Sequence, residues 1–116
     1  MDFDQYTLAF LVTNPDGPEL DETAAAELQD AHLSFLADLH AEGHLLAVGP
    51  LADPEGELRG LSIFRADAET TRVLAAQDPA VAAGRFLVRV VPWRLPTGLL
   101  EFAPGRLPRS MADVRD

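Results

Sequence analysis

Apolar positions recur along the chain in two rhythms, and the places where the rhythm changes mark the elements. "YTLAFLV", Tyr6–Val12, is a short run of β-forming residues closed by the turn residues of "TNPDGP", which predicts a first strand. Both of its faces are apolar, with Tyr6, Leu8, Phe10 and Val12 on one side and Ala9 and Leu11 on the other. Helices on one side of a sheet would leave the second face wet, so this strand predicts a homodimer through the open sheet face. The rhythm then lengthens to helical spacing in "LDETAAAELQDAHLSFLADLHAEG", where Leu28, His32, Phe35, Leu36 and Leu39 share one face. Asp21 is placed to cap this helix, Glu22 sits favourably in its first turn, and Gly43 supplies the stop.

Shorter segments complete the pattern. "HLLAVGPL" reads as strand two, "ADPEGELRG" as a polar loop and "GLSIFRA" as strand three. "DAETTRVLAAQ" is a second helix capped by Asp67. "DPAVAAG" is a helical turn with Asp78 as its cap, Pro79 at its first position and Gly84 at its end. "RFLVRVVPW" is strand four, and Pro92 points to an edge. The order β-α-β-β-α-β predicts a ferredoxin-like α+β fold, a four-stranded antiparallel sheet with two helices on one face.

Residues 1–94 account for that domain. The remainder, 95–116, has three prolines and two glycines, yet Leu99, Leu100, Phe102, Leu107 and Met111 are too apolar for a solvated tail. This Pro-rich C-terminal extension is expected to pack on its own domain or on the partner subunit.

Composition narrows the class. Hydrophobic residues at 47% in 116 residues suit one folded domain. With no cysteine there is no disulfide, thiol nucleophile or cysteine metal site. The N-terminus opens on acids rather than a basic segment, and no apolar run approaches the roughly 18 residues of a membrane span. The expectation is a cytoplasmic protein with no membrane partner. The formal charge of −10 is lopsided: residues 1–58 hold thirteen acids and no Lys or Arg, while all nine Arg follow. No basic helix or aromatic–basic stripe is present, so no nucleic-acid partner is expected.

All three histidines lie in "DAHLSFLADLHAEGHLLAVGP", at His32, His40 and His44. His40 and His44 are four apart, but Gly43 breaks the helix between them, so a shared metal site is not expected. Both read as solvated residues at a helix end. His32 instead occupies an apolar-stripe position and faces inward, where an imidazole needs a hydrogen-bond partner. One reading is a core histidine bonded to a backbone carbonyl. The other is an imidazole held by a carboxylate beside a pocket and usable as a general acid and base. Asp78 is the best-placed carboxylate, although capping the turn at Pro79 is an equally physical role for it. Spacing leaves the two readings open.

"AHLSFLADLHAEGHLLAVGPL" followed by "AAQDPAVAAGRF" resembles the YCII-related family. Its pattern is a helix with an inward His, a "G-x-L-x-x-x-G-P" stretch and a "D-P-[hydrophobic]-x-x-[AG]-G" motif. These fall here on His32, on Gly43 through Gly49-Pro50, and on Asp78-Pro79 through Gly84. The resemblance spans roughly residues 5–93 and implies a ferredoxin-like dimer of the dimeric α+β barrel type. It also implies that His32 and Asp78 form a candidate catalytic pair, working by elimination or isomerisation without a cofactor. The ligand would be a small aromatic-derived or enolisable molecule. Gly49 and Pro50 would let it approach the backbone, and Arg85 would meet an anionic group. The alternative is a non-catalytic dimeric small-ligand-binding or regulatory module, in which Asp78 is only a cap and His32 only a satisfied core residue. The Pro-rich extension and the acidic "NPDGPELDE" insert depart from the family pattern, so the substrate is not carried over.

Overall fold

The computed structural model describes residues 1–114. Its elements follow in the order β1 (Phe3–Thr13), α1 (Glu22–Ala41), β2 (Leu45–Pro50), β3 (Leu58–Phe64), α2 (Ala68–Ala76), α3 (Pro79–Ala82), β4 (Phe86–Pro96) and α4 (Met111–Val114). The strands form one antiparallel sheet ordered β2-β3-β1-β4. This is the ferredoxin-like arrangement, and the local signals that produce it lie where the sequence puts them. Asp21 and Asp67 cap α1 and α2 by accepting from the Ala24 and Thr70 backbone N–H groups, each at 2.8 Å. Gly43, at φ +86°, turns the chain out of α1 in a conformation that other residues adopt only with strain.

Two strands outrun their expected lengths. β1 and β4 pair over eleven residues each, from Phe3↔Pro96 to Thr13↔Phe86. β4 runs past Pro92 because it is an edge strand. Pro92 and Pro96 are four apart and so turn the same way, to the outer side where no ladder donor is lost.

The helix face of the sheet carries Thr7, Ala9 and Leu11 from β1, facing Phe64, Ser62 and Gly60 of β3. Ala9, Leu36, Leu39, Leu45 and Phe64 form the buried core, with Phe35, Val48, Leu74, Val88 and Leu107 packed against it. The register slips once in a way that matters below. Leu11 faces Gly60 but Val12 faces Leu58, so Arg59 is an extra, bulged residue.

After β4 the extension touches both faces of the domain. The Phe102 ring meets Tyr6 edge-on, with centroids 5.4 Å apart, at one end of the open sheet face. Leu107 packs on the core beneath α1. Arg109 then donates to Asp38 at 2.9 Å, and the Met111 backbone N–H donates to Asp30 at 2.8 Å, both on α1. The final turn thus lies along α1. No helix among the described residues is long and apolar enough to cross a membrane.

Candidate active site

His32 stands on the buried stripe of α1 between Gln29 and Leu36, and α3 begins opposite it. Pro79 at the first position of α3 and Asp78 before it are what the sequence needs for a short capped turn. That turn aims Asp78 inward. Its Oδ2 lies 2.6 Å from His32 Nδ1, and its Oδ1 accepts from the Ala80 backbone N–H at 2.9 Å. The carboxylate therefore caps α3 and holds the imidazole at the same time. The two roles that the sequence left as alternatives coexist, one on each oxygen.

Burial is deep, with His32 7% and Asp78 3% exposed. With Nδ1–H donating to Asp78, the neutral ring carries its lone pair on Nε2. Nε2 makes no protein hydrogen bond among the described residues, yet no buried polar side-chain atom is left without a partner. It is therefore open to the space His32 lines. That space is a cavity of about 500 Å³ between α1 and the β2–β3–β1 part of the sheet. Gly49, Pro50 and Gly60 border it on the strand side, and Leu107, Pro108 and Met111 of the extension form one wall.

Among the described residues three polar ones accompany His32 in the lining, namely Gln29, Arg59 and Ser62. The last two escape sequence reasoning. Ser62 is an ordinary helix-facing position of β3, but it is 7% exposed and its hydroxyl has no protein partner among the described residues. Arg59 reaches the cavity because of the bulge. Strict alternation from Gly60 and Ser62 would turn it to the opposite face, whereas its guanidinium lies 5.7 Å from the centroid of Phe86, a helix-face residue. A register slip depends on long-range pairing, and no local pattern announces it.

Arg85, expected to meet an anionic ligand, does not line the cavity. It directly precedes β4, and its guanidinium rests 5.8 Å from the centroid of the Phe86 ring. Of the other histidines, His40 is half-buried on α1 two turns from His32. His44 is exposed, its Nε2 3.9 Å from Glu42.

No curated protein matches the chain. Among solved structures, a 5-chloro-2-hydroxyhydroquinone dehydrochlorinase from Burkholderia phenoliruptrix AC1100, in complex with 2,5-dihydroxybenzoquinone, superposes with a TM-score of 0.55 at 21% identity. The match covers 76% of this chain and 92% of that one, and it shows a common fold. A dimeric protein of unknown function and ferredoxin-like fold from Bacteroides fragilis NCTC 9343 gives a TM-score of 0.47 at 14% identity, covering 79% of this chain and 97% of that one. The YCII-related domain model matches residues 8–94, which is most of the chain and contains β2, β3, His32 and Asp78. The chain belongs to the YCII-related family.

Proposed function

We propose that this protein is a small enzyme that moves a proton on an aromatic-derived or enolisable molecule, with His32 as general base and acid and Asp78 as its positioning partner. One observation carries the reading: a buried imidazole is held at Nδ1 by a carboxylate 2.6 Å away and offers Nε2 to a cavity. The similar fold of a dehydrochlorinase supports the choice of chemistry.

In the proposed step the Nε2 lone pair takes a proton from a hydroxyl or an activated C–H of the bound molecule. The electron pair left behind moves into an adjacent carbonyl or expels an anionic leaving group. Asp78 stabilises the imidazolium so formed without moving, because it already accepts from Nδ1. Return of the proton to a second atom completes an isomerisation, and its delivery to the departing group completes an elimination. A positioned group of this kind contributes roughly 10²- to 10⁴-fold in rate, and the step calls for no cofactor. Gly49 and Pro50, in the cavity wall, give the molecule close approach to the backbone.

The same reading has the protein act as a homodimer through the open sheet face, where Leu87 is 50% and Val91 40% exposed. Size-exclusion chromatography with light scattering reads that assembly directly.

The test of catalysis is turnover of halogenated hydroxyquinones and enolisable ketones by wild type, His32→Gln and Asp78→Asn. The expected result is turnover by wild type, with a loss of about 10²-fold or more in His32→Gln. Undiminished turnover in His32→Gln would contradict the proposal. Binding without turnover by any form would favour the non-catalytic binding module instead.

A further inference from the structure

The cavity's polar groups are unevenly placed, and their placement describes a ligand. At the inner end are two polar lining side chains, each more than nine-tenths buried: His32, whose Nε2 has no protein partner among the described residues, and Ser62, whose hydroxyl likewise has none. Arg59, an exposed residue, stands three positions before Ser62 on β3, about 10 Å away at the rise of a strand. Between them the lining is almost wholly apolar, from Leu11, Leu33, Leu36, Val48, Phe86 and Met111.

The charge balance is one-sided. Among the described residues no carboxylate lines the cavity, and both Asp78 oxygens are engaged, by His32 and by the Ala80 N–H. Arg59 is the only arginine in the lining among the described residues, and it reaches there through the β-bulge that breaks alternation. Bulges often re-aim a side chain beside a functional site. The Phe86 ring beneath the guanidinium restricts its motion and leaves its N–H edge free for a ligand.

We infer that the cavity selects a small organic anion with an apolar body, a ring or short chain bearing a carboxylate or acidic phenolate at one end and a hydroxyl or carbonyl at the other. Arg59 pairs with the charge at the mouth. Ser62 donates to the oxygen at the inner end, next to Nε2 of His32. This assignment rests on the proposed proton-transfer site for the orientation of the ligand, but the charge selection stands without catalysis.

The experiment is calorimetric titration with 4-hydroxybenzoate, 4-hydroxyphenylacetate and 2,5-dihydroxybenzoquinone, and with 4-hydroxybenzamide as a neutral counterpart. Wild type, Arg59→Gln, Arg59→Lys and the surface control Arg72→Gln are compared after thermal melts establish that each is folded. At least one anion is expected to bind wild type and Arg72→Gln alike and to lose about tenfold in affinity with Arg59→Gln. Arg59→Lys should restore part of that loss, and the amide should bind weakly and equally throughout. Equal anion affinity in wild type and Arg59→Gln would overturn the inference. So would an amide as tight as its acid, or a wild type that binds none of the three anions. Binding is read apart from turnover: charge selection with undiminished turnover in His32→Gln removes the proton-transfer reading alone, and the converse removes this one alone.

Discussion

The two long helices cover the same sheet and leave very different interiors. Where α2 meets the sheet, small residues close the gap. Thr71 is fully buried, Ala75 packs nearby, and Thr7 sends its hydroxyl to the Ala66 carbonyl at 2.7 Å. The void remaining between the helices is about 20 Å³. Beneath the first half of α1 the sheet offers Gly60 where a side chain would stand, and about 500 Å³ stays open. His32 and Asp78 lie at the boundary between these regions. The packed side supplies a rigid seat for the carboxylate, and the open side supplies access to the imidazole. A site that must hold one geometry and also admit a molecule needs both.

The largest expected effect comes from the boundary itself. Asp78→Ala removes a buried partner and a helix cap together, and should cost about 3–5 kcal/mol in urea unfolding. A loss below about 1 kcal/mol would mean that the seat is not rigid. Next is the C-terminal wall. Truncation after Leu95 removes Phe102, Leu107 and Met111 from their partly buried positions, and should cost about 2 kcal/mol or more. Unchanged stability and assembly state would show that the extension is not part of the fold.

Smaller effects separate the two sides. Ala75→Leu overfills the packed interior and should cost about 1–3 kcal/mol. Gly60→Ala places its Cβ 3.6 Å from Leu11 and 3.7 Å from the Gly49 carbonyl, ordinary contacts, and should change stability by less than about 1 kcal/mol. Equal costs at the two positions would erase the comparison.

The smallest effect concerns pH. Asp67 is held below its ordinary carboxylate value of 3.8, chiefly by the Thr70 backbone N–H it accepts from and then by the Thr70 hydroxyl. A depressed folded-state value contributes stability above the unfolded value, and that stability disappears as pH falls through the folded one. Asp67→Asn should therefore flatten the acid limb of the stability curve below pH 4 and leave neutral pH nearly unchanged. An unaltered acid limb would show that this cap does not contribute.

Much of the fold was legible because its signals are local. Asp21, Gly43, Asp67 and Asp78-Pro79 mark helix ends by chemistry confined to a few residues. His32 was legible as the polar residue on an apolar stripe. What stayed hidden depends on pairing between distant strands. The bulge that turns Arg59 inward arises in the β1–β3 register, and the cavity that Ser62 lines depends on Gly60, its neighbour on the same face of β3. Arg85 stands outside the cavity lining for a like reason, because strand pairing decides what surrounds it beside Phe86. The course of the extension along α1 was likewise beyond local pattern, because its anchors are Asp30 and Asp38.

The central claim is that Asp78 fixes the His32 ring with Nε2 free toward the cavity. Long-range ¹H–¹⁵N NMR of the imidazole at a pH where the ring is neutral reads this directly. The account predicts the Nδ1–H form at His32 in wild type, with that preference weakened or lost in Asp78→Asn. A wild-type ring carrying its proton on Nε2, or a tautomer indifferent to Asp78→Asn, would contradict it.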